Sequence, residues 1–225
     1  MAGLREIKKQ RTREMILKNS MELFTQKGVD EVGMRELAQV CGLGIGTYYN
    51  YFKSKEDVIF SLFRENLNAA ITQRPFKVDE SMSNADNLTA NYKEVFQELM
   101  IHKNIADEFL SLAYNTKNVS DKDSVGARLT PQIIDLYWGW VQPLFRSAGI
   151  IIRTEEEEGF RRMLWHHFLS SFHAYTSSFG AEESIDYIRF TSRHLLGGLG
   201  SSSASSEASA NSSQGFGSGS NTGNF

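Results

Sequence analysis

Residues 36–55 read ELAQVCGLGIGTYYNYFKSK and predict a helix, a glycine turn and a very short second helix. Residues 36–41 are good helix formers, and Gly42 follows them where a helix end favours a left-handed residue. Residues 45–52 suffice for about two helical turns, which are too short to be stable without tertiary packing. Two helices joined by a short turn containing glycine form a helix-turn-helix, whose second helix enters the DNA major groove.

The motif continues beyond the short helix as GLGIGTYYNYFKSKED, residues 42–57. This segment resembles the signature of the TetR family of transcription regulators, with the glycine, threonine, tyrosine, phenylalanine and lysine positions in register. The resemblance extends back through residues 13–40 and covers about the first quarter of the chain. It implies an all-α fold, with an N-terminal three-helix helix-turn-helix DNA-binding domain followed by a helical-bundle domain for ligand binding and dimerisation.

The resemblance also implies which residues meet double-stranded DNA. Ile45 and Gly46 match positions that reach base edges, and Ile45 can touch a thymine methyl group. Threonine, tyrosine and asparagine at the positions that follow are good neutral donors to phosphate. The preceding helix can meet a phosphate through its first backbone amides. The predicted DNA-binding residues are Gly33, Met34, Gly44, Ile45, Gly46, Thr47, Tyr49, Asn50, Tyr51 and Lys55, whereas Tyr48 and Phe52 are expected in the core.

The chain has 225 residues, of which 40% are hydrophobic and 23% charged, as is ordinary for a globular protein. Its net charge of −3 is unevenly distributed: residues 1–55 carry ten Lys and Arg against six Asp and Glu, and the remainder fourteen against twenty-one. A basic head on an acidic body is expected of a nucleic-acid binder with a second domain. One cysteine, no long apolar run and no secretory signal predict a cytoplasmic protein without a membrane span.

Composition and periodicity, together with the roles that the resemblance implies, divide the chain into four parts. Residues 1–10 are basic and lack an apolar face, which predicts a flexible arm, and residues 11–54 hold the helix-turn-helix domain. Residues 55–196 are predicted as the helical ligand-binding and dimerisation domain, with a loop at 76–87, another at 115–124, and a helix that Pro143 kinks or ends early. Residues 197–225 are Ser/Gly-rich and predict a disordered tail.

Two apolar stripes near the C-terminus predict a dimer interface. Operators with dyad symmetry require two recognition helices, and the resemblance implies a homodimer built from two adjacent C-terminal helices of each subunit. The alternative is that both stripes are core within one chain. The predicted interface residues are Phe160, Leu164, His167, Phe168, Ser171, Ile188, Ser192 and Leu195.

The aromatic-rich body is the expected place for a small-molecule effector. A cavity between bundled helices with a few polar groups is a common ligand site, and the resemblance implies one here. The candidate lining residues are Phe96, His102, Phe109, Trp138, Trp165 and His166. The implied mechanism is repression of a palindromic operator that a largely apolar effector relieves by a population shift, with activation as the alternative.

Two other functions compete with this interpretation. One is a DNA-binding protein without an effector, used in chromosome organisation or controlled by a protein partner. The other is an enzyme whose pocket uses His166 or His167. The sequence shows no phosphate loop, nucleophile elbow or carboxylate pair, and adjacent histidines on a helix point about 100° apart, so we predict no catalytic residues, metal or cofactor.

Overall fold

A computed structural model describes residues 3–115, 123–177 and 181–211 of the chain, and every regular element among them is helical. The α-helices are α1 (Leu4–Lys27), α2 (Met34–Val40), α3 (Ile45–Tyr49), α4 (Lys55–Gln73), α5 (Asn84–Leu99), α6 (Lys103–Tyr114), α7 (Val125–Ser147), α8 (Glu157–Thr176) and α9 (Ala181–Asn211). A 3₁₀ turn, Met100–His102, joins α5 to α6. The all-α fold predicted from the sequence is confirmed.

Helices α1, α2 and α3 form the N-terminal head, with Ile16, Phe24 and Leu37 buried between them. Gly42 adopts φ +65° in the turn after α2, the left-handed conformation that the sequence predicted there. The flexible arm predicted over residues 1–10 is wrong for the described part, because α1 already begins at Leu4. Its first turns consist mostly of good helix formers, and they extend a helix that the buried residues farther along have already nucleated.

Helix α4 joins the head to the body and is central to both. Ser54 caps it by accepting a hydrogen bond from the Asp57 amide. All residues from Asp57 to Phe63 are buried, which is typical of a helix packed on every side. Accordingly, α4 contacts α1, α5, α6 and α7.

The body differs from the sequence prediction at three places. The loop predicted over 76–87 ends earlier, because Ser83 caps α5 through the Asp86 amide. Pro143 does not end α7, which continues to Ser147; the carbonyl that loses its partner belongs to Gly139, a solvent-exposed residue. Helix α9 continues to Asn211, so the predicted disorder from 197 is corrected for 197–211, where the backbone extends the preceding helix. Residues 212–225 and most of the predicted 115–124 loop lie outside the described residues.

Candidate functional site

The short helix α3 is held in place by two side chains. Tyr48 and Phe52 are both fully buried, which confirms that they belong to the core. The Tyr48 hydroxyl lies 3.3 Å from Ser20 Oγ on α1, and burial raises the pKa of Tyr48 to about 12. The guanidinium of Arg13 covers the Phe52 ring at 4.3 Å and hydrogen-bonds Ser61 on α4 at 2.7 Å. The five-residue helix and the residue Phe52 after it are thereby fixed against α1, which Arg13 in turn links to α4.

The opposite side of α3 faces solvent. Ile45 is 38% and Tyr49 40% exposed. Tyr51 is half-buried, and its backbone carbonyl accepts a hydrogen bond from Arg13. The other predicted contact residues on this side, Gly44, Gly46, Thr47 and Asn50, are exposed. The structure therefore brings these residues onto one outward surface, whereas their individual DNA contacts remain predictions.

Helix α2 begins beside this surface. Gly33 precedes it in an extended conformation, is exposed, and supplies no side-chain cap, while Met34 is half-buried. The first amides of a helix lack partners within the helix, so this end can accept a phosphate.

Two lysines flank the exposed face of α3. The Lys53 ammonium donates to the Tyr49 carbonyl at 2.7 Å, and the half-buried Lys55 ammonium donates to the Val29 carbonyl at 2.9 Å. Each ammonium has three donors, so both retain capacity for a phosphate oxygen. Sequence reasoning selected Lys55 and missed Lys53, whose position only the packing shows.

A cavity of about 460 Å³ lies in the body between α4, α6, α7 and α8. Its floor is aromatic and aliphatic, and its rim carries Asp135, Glu158 and two arginines. Three of the six predicted lining residues, Phe109, Trp165 and His166, line it. This volume lies within the range of small-molecule sites.

The other three predicted lining residues lie elsewhere, which corrects the prediction. Phe96 packs into an aromatic core against Phe168 and Phe172, with ring centroids 5.2 Å and 5.0 Å away. His102 lies in the 3₁₀ turn and faces a groove beside α1. Trp138 packs against Phe160 under the Arg161 guanidinium. Helical periodicity identifies residues that face inward, but it cannot tell which neighbouring helix they will meet.

The adjacent histidines diverge, as their spacing predicts. His166 is exposed at the cavity rim, whereas His167 turns into a buried polar network. Its Nδ1 lies 3.3 Å from the Tyr92 hydroxyl, its Nε2 lies 3.1 Å from Thr191 Oγ1, and the Tyr92 and Tyr137 oxygens are 2.5 Å apart. Burial lowers the pKa of His167 to about 4 and raises the pKa of both tyrosines well above 10. Sequence reasoning did not find this network, whose members come from α5, α7, α8 and α9.

Most residues of the predicted dimer interface are buried within a single chain, which corrects that prediction. Helix α9 packs against α5 and α8, so the two apolar stripes meet each other. The buried residues are Phe160, Leu164, Phe168, Ser171, Ile188 and Ser192, while His167 and Leu195 are half-buried. Among the described side chains of α8 and α9, the large hydrophobic residues that remain exposed are Met163, Tyr187 and Phe190.

No helix in the described part of the chain is long and apolar enough to cross a membrane. No three His, Cys, Asp or Glu residues in it are grouped as metal ligands.

Residues 16–62 match the family model described as bacterial regulatory proteins, tetR family. A curated HTH-type transcriptional regulator of Staphylococcus aureus (strain bovine RF122 / ET3-1) is 38% identical over 61 residues, which are 27% of this chain and 33% of that protein. Matches to the first relatives span from a third to about half of their length. The sequence similarity therefore concerns the head and the beginning of the body.

Solved structures extend the similarity to the fold of the body. A TetR transcriptional regulator from Rhodococcus sp. RHA1 has a TM-score of 0.60 at 21% identity and covers 84% of this chain and 97% of its own. Thermus thermophilus FadR, a TetR family transcriptional repressor solved in complex with lauroyl-CoA, has a TM-score of 0.55 at 22% identity and covers 82% and 93%. At such identities the similarity establishes the fold alone.

Proposed function

Because this chain belongs to the TetR family of transcription regulators, we propose that it is a cytoplasmic, homodimeric repressor, released from a palindromic operator by a small, largely apolar effector. The observation that carries the proposal is the outward face of α3, where Ile45 and Tyr49 are exposed while Tyr48 and Phe52 between and beyond them are buried. A short helix that is anchored on one side, and that exposes both polar and apolar groups on the other, is suited to contact base edges in the major groove. The basic head supplies the attraction to phosphate.

The cavity supports the effector part of the proposal. Phe60, Phe109 and Trp165 offer an apolar floor, and the charged rim can orient a polar end of the ligand. A ligand that binds only one placement of the recognition helices shifts the protein towards that placement. FadR, which has the same fold, is a repressor solved with lauroyl-CoA, and this supports a ligand-controlled repressor here.

Selection of duplexes from a random library by the purified full chain tests DNA binding. We expect a dyad-symmetric sequence to be enriched, and Lys55→Ala and Tyr51→Phe to weaken binding to it, by about ten-fold for a lost contact of about 1.4 kcal/mol. Only Lys55→Ala should reduce the salt slope, by about 1. The exposed Lys93 on α5 provides the control, Lys93→Ala. Failure to enrich any duplex contradicts the proposal.

A thermal-shift screen of apolar small molecules tests the effector. A true effector raises the melting temperature by mass action and releases the selected duplex. Stabilisation without release, or no stabilisation by any compound, favours the DNA-binding protein without an effector.

Sedimentation of the free protein and of its DNA complex tests the dimer. Among the residues of α8 and α9 whose side chains the structure describes, Phe190 on α9 is the most exposed large hydrophobic residue, at 60%. Phe190→Arg should convert dimer to monomer, because a dimer interface does not tolerate a buried unpaired charge. Ile151→Arg changes an exposed residue outside both helices and should leave the dimer intact.

A further inference from the structure

The buried carboxylate of Asp57 connects the start of α4 to the recognition helix. Its Oδ2 atom accepts a hydrogen bond from the Lys53 backbone amide at 3.0 Å. The Lys53 ammonium in turn donates to the carbonyl of Tyr49, the last residue of α3. Asp57 therefore fixes the segment through which the chain leaves the recognition helix.

The same oxygen also faces the body. Nη2 of Arg128 on α7 lies 3.6 Å from Asp57 Oδ2. The Asp57 side chain is only 8% exposed, whereas that of Arg128 is 48% exposed. Solvent screens an ion pair with one sheltered partner less than a fully exposed pair. Loss of Arg128 should therefore weaken the hold on the Asp57 carboxylate.

Arg128 belongs to a helical turn that also forms the cavity wall. Ala127 and Thr130 line the cavity, and Arg128 lies between them in the sequence. Successive helical residues point about 100° apart, so one turn can present a wall to the cavity and a cation to α4. A ligand that displaces this wall moves Arg128 with it.

We infer that Arg128 is a positioning residue, which holds the recognition helix in its DNA-binding placement through Asp57 and releases it when a ligand displaces the cavity wall. The inference rests on the proposed function, because it requires α3 to bind DNA. A second link between the same helices, from Arg64 to Gln132 at 2.7 Å, attaches to the middle of α4 and not to the segment after α3. It therefore provides a matched control.

Affinity for the selected duplex tests the pair. Arg128→Gln and Asp57→Asn should each lower it about five-fold or more, and the double variant should be no weaker than the weaker single variant. Arg128→Lys should restore most of the affinity, and Gln132→Ala should leave it unchanged. If Arg128 instead contacts DNA directly, Asp57→Asn raises the affinity and Arg128→Gln lowers the salt slope by about 1, and either result overturns the inference. The Arg128→Gln slope decides the matter if Asp57→Asn does not fold.

Filling the cavity tests the link to the ligand without knowing the ligand. Ala113→Phe adds a ring from α6, a different helix from the one that carries Arg128. It should weaken duplex binding several-fold in the natural background and have no further effect together with Arg128→Gln. If Ala113→Phe weakens binding equally in the natural and Arg128→Gln backgrounds, or in neither, the inference is overturned. Thr130→Leu repeats the test if Ala113→Phe does not fold. If no duplex is ever selected, the proposed function itself fails; a duplex bound equally by all these variants overturns only the inference.

Discussion

The head and the body of this protein use buried aromatic residues for different purposes. In the head, Tyr48 and Phe52 anchor a five-residue helix, and the proposed DNA-binding surface consists of the residues between and around them. In the body, residues from four helices line a cavity, with aromatic rings from three of them, and no short segment contains the proposed ligand site. The comparison shows that a site on one helix can be predicted from contiguous sequence. A site between helices can be located only when it is known how the helices pack.

The largest expected effect separates two adjacent tyrosines of the head. Tyr48→Ala should lower the free energy of unfolding by about 3–5 kcal/mol, because it leaves a cavity where a fully buried ring was. Tyr49→Ala should change it by less than about 0.5 kcal/mol, because that ring is 40% exposed, yet it should weaken DNA binding. Urea denaturation and duplex titration measure both quantities. Equal stability losses would contradict the division of α3 into an anchored and an exposed face.

The pH dependence of the free energy of unfolding near neutral pH should report on the body, since all five histidines lie outside the head. Burial holds the pKa of His167 at about 4 in the folded protein, below its ordinary value of 6.5. The unfolded chain then binds the proton more readily, so stability is complete above pH 6.5 and falls as the pH drops towards 4. The total loss is about 3 kcal/mol.

Urea denaturation between pH 7 and 5, above the range where most carboxylates titrate, should measure about 2 kcal/mol of this loss, because the folded-state pKa of about 4 lies below that window. His167→Gln should flatten the pH dependence, whereas His173→Gln, at an exposed position of the same helix, should not. If the pH dependence of stability is unchanged in His167→Gln, protonation of His167 does not cause it.

The smallest expected effect compares neighbouring arginines on α8. Arg162 pairs with Glu158 at 2.7 Å, but the two side chains are 65% and 80% exposed, so Arg162→Gln should cost less than about 0.5 kcal/mol. Arg161 is better sheltered, pairs with both Asp135 and Glu157, and covers Trp138. Arg161→Gln should therefore cost about 1 kcal/mol more. Thermal unfolding of both variants measures the difference, and equal melting temperatures would contradict it.

Sequence prediction succeeded where local chemistry dictates the structure. The left-handed Gly42 and the burial of Tyr48 and Phe52 were predicted from residues within a few positions of one another, and both are observed. It failed for Phe96, His102 and Trp138 in the cavity and for most of the predicted dimer residues. Those predictions depended on which helices become neighbours, which a single helix does not encode.

The sequence by itself determined an all-helical chain with a helix-turn-helix near its start, because glycine conformation, capping and the 3.6-residue period act over short distances. Only the tertiary structure decided where the cavity lies, that the two C-terminal apolar stripes are buried against each other within one chain, and how Arg128 meets Asp57. These features arise where α4, α7, α8 and α9 pack, and their residues are far apart in the sequence. Burial in a shared core selects the helix partners, and it does so through the combined surfaces of all the helices.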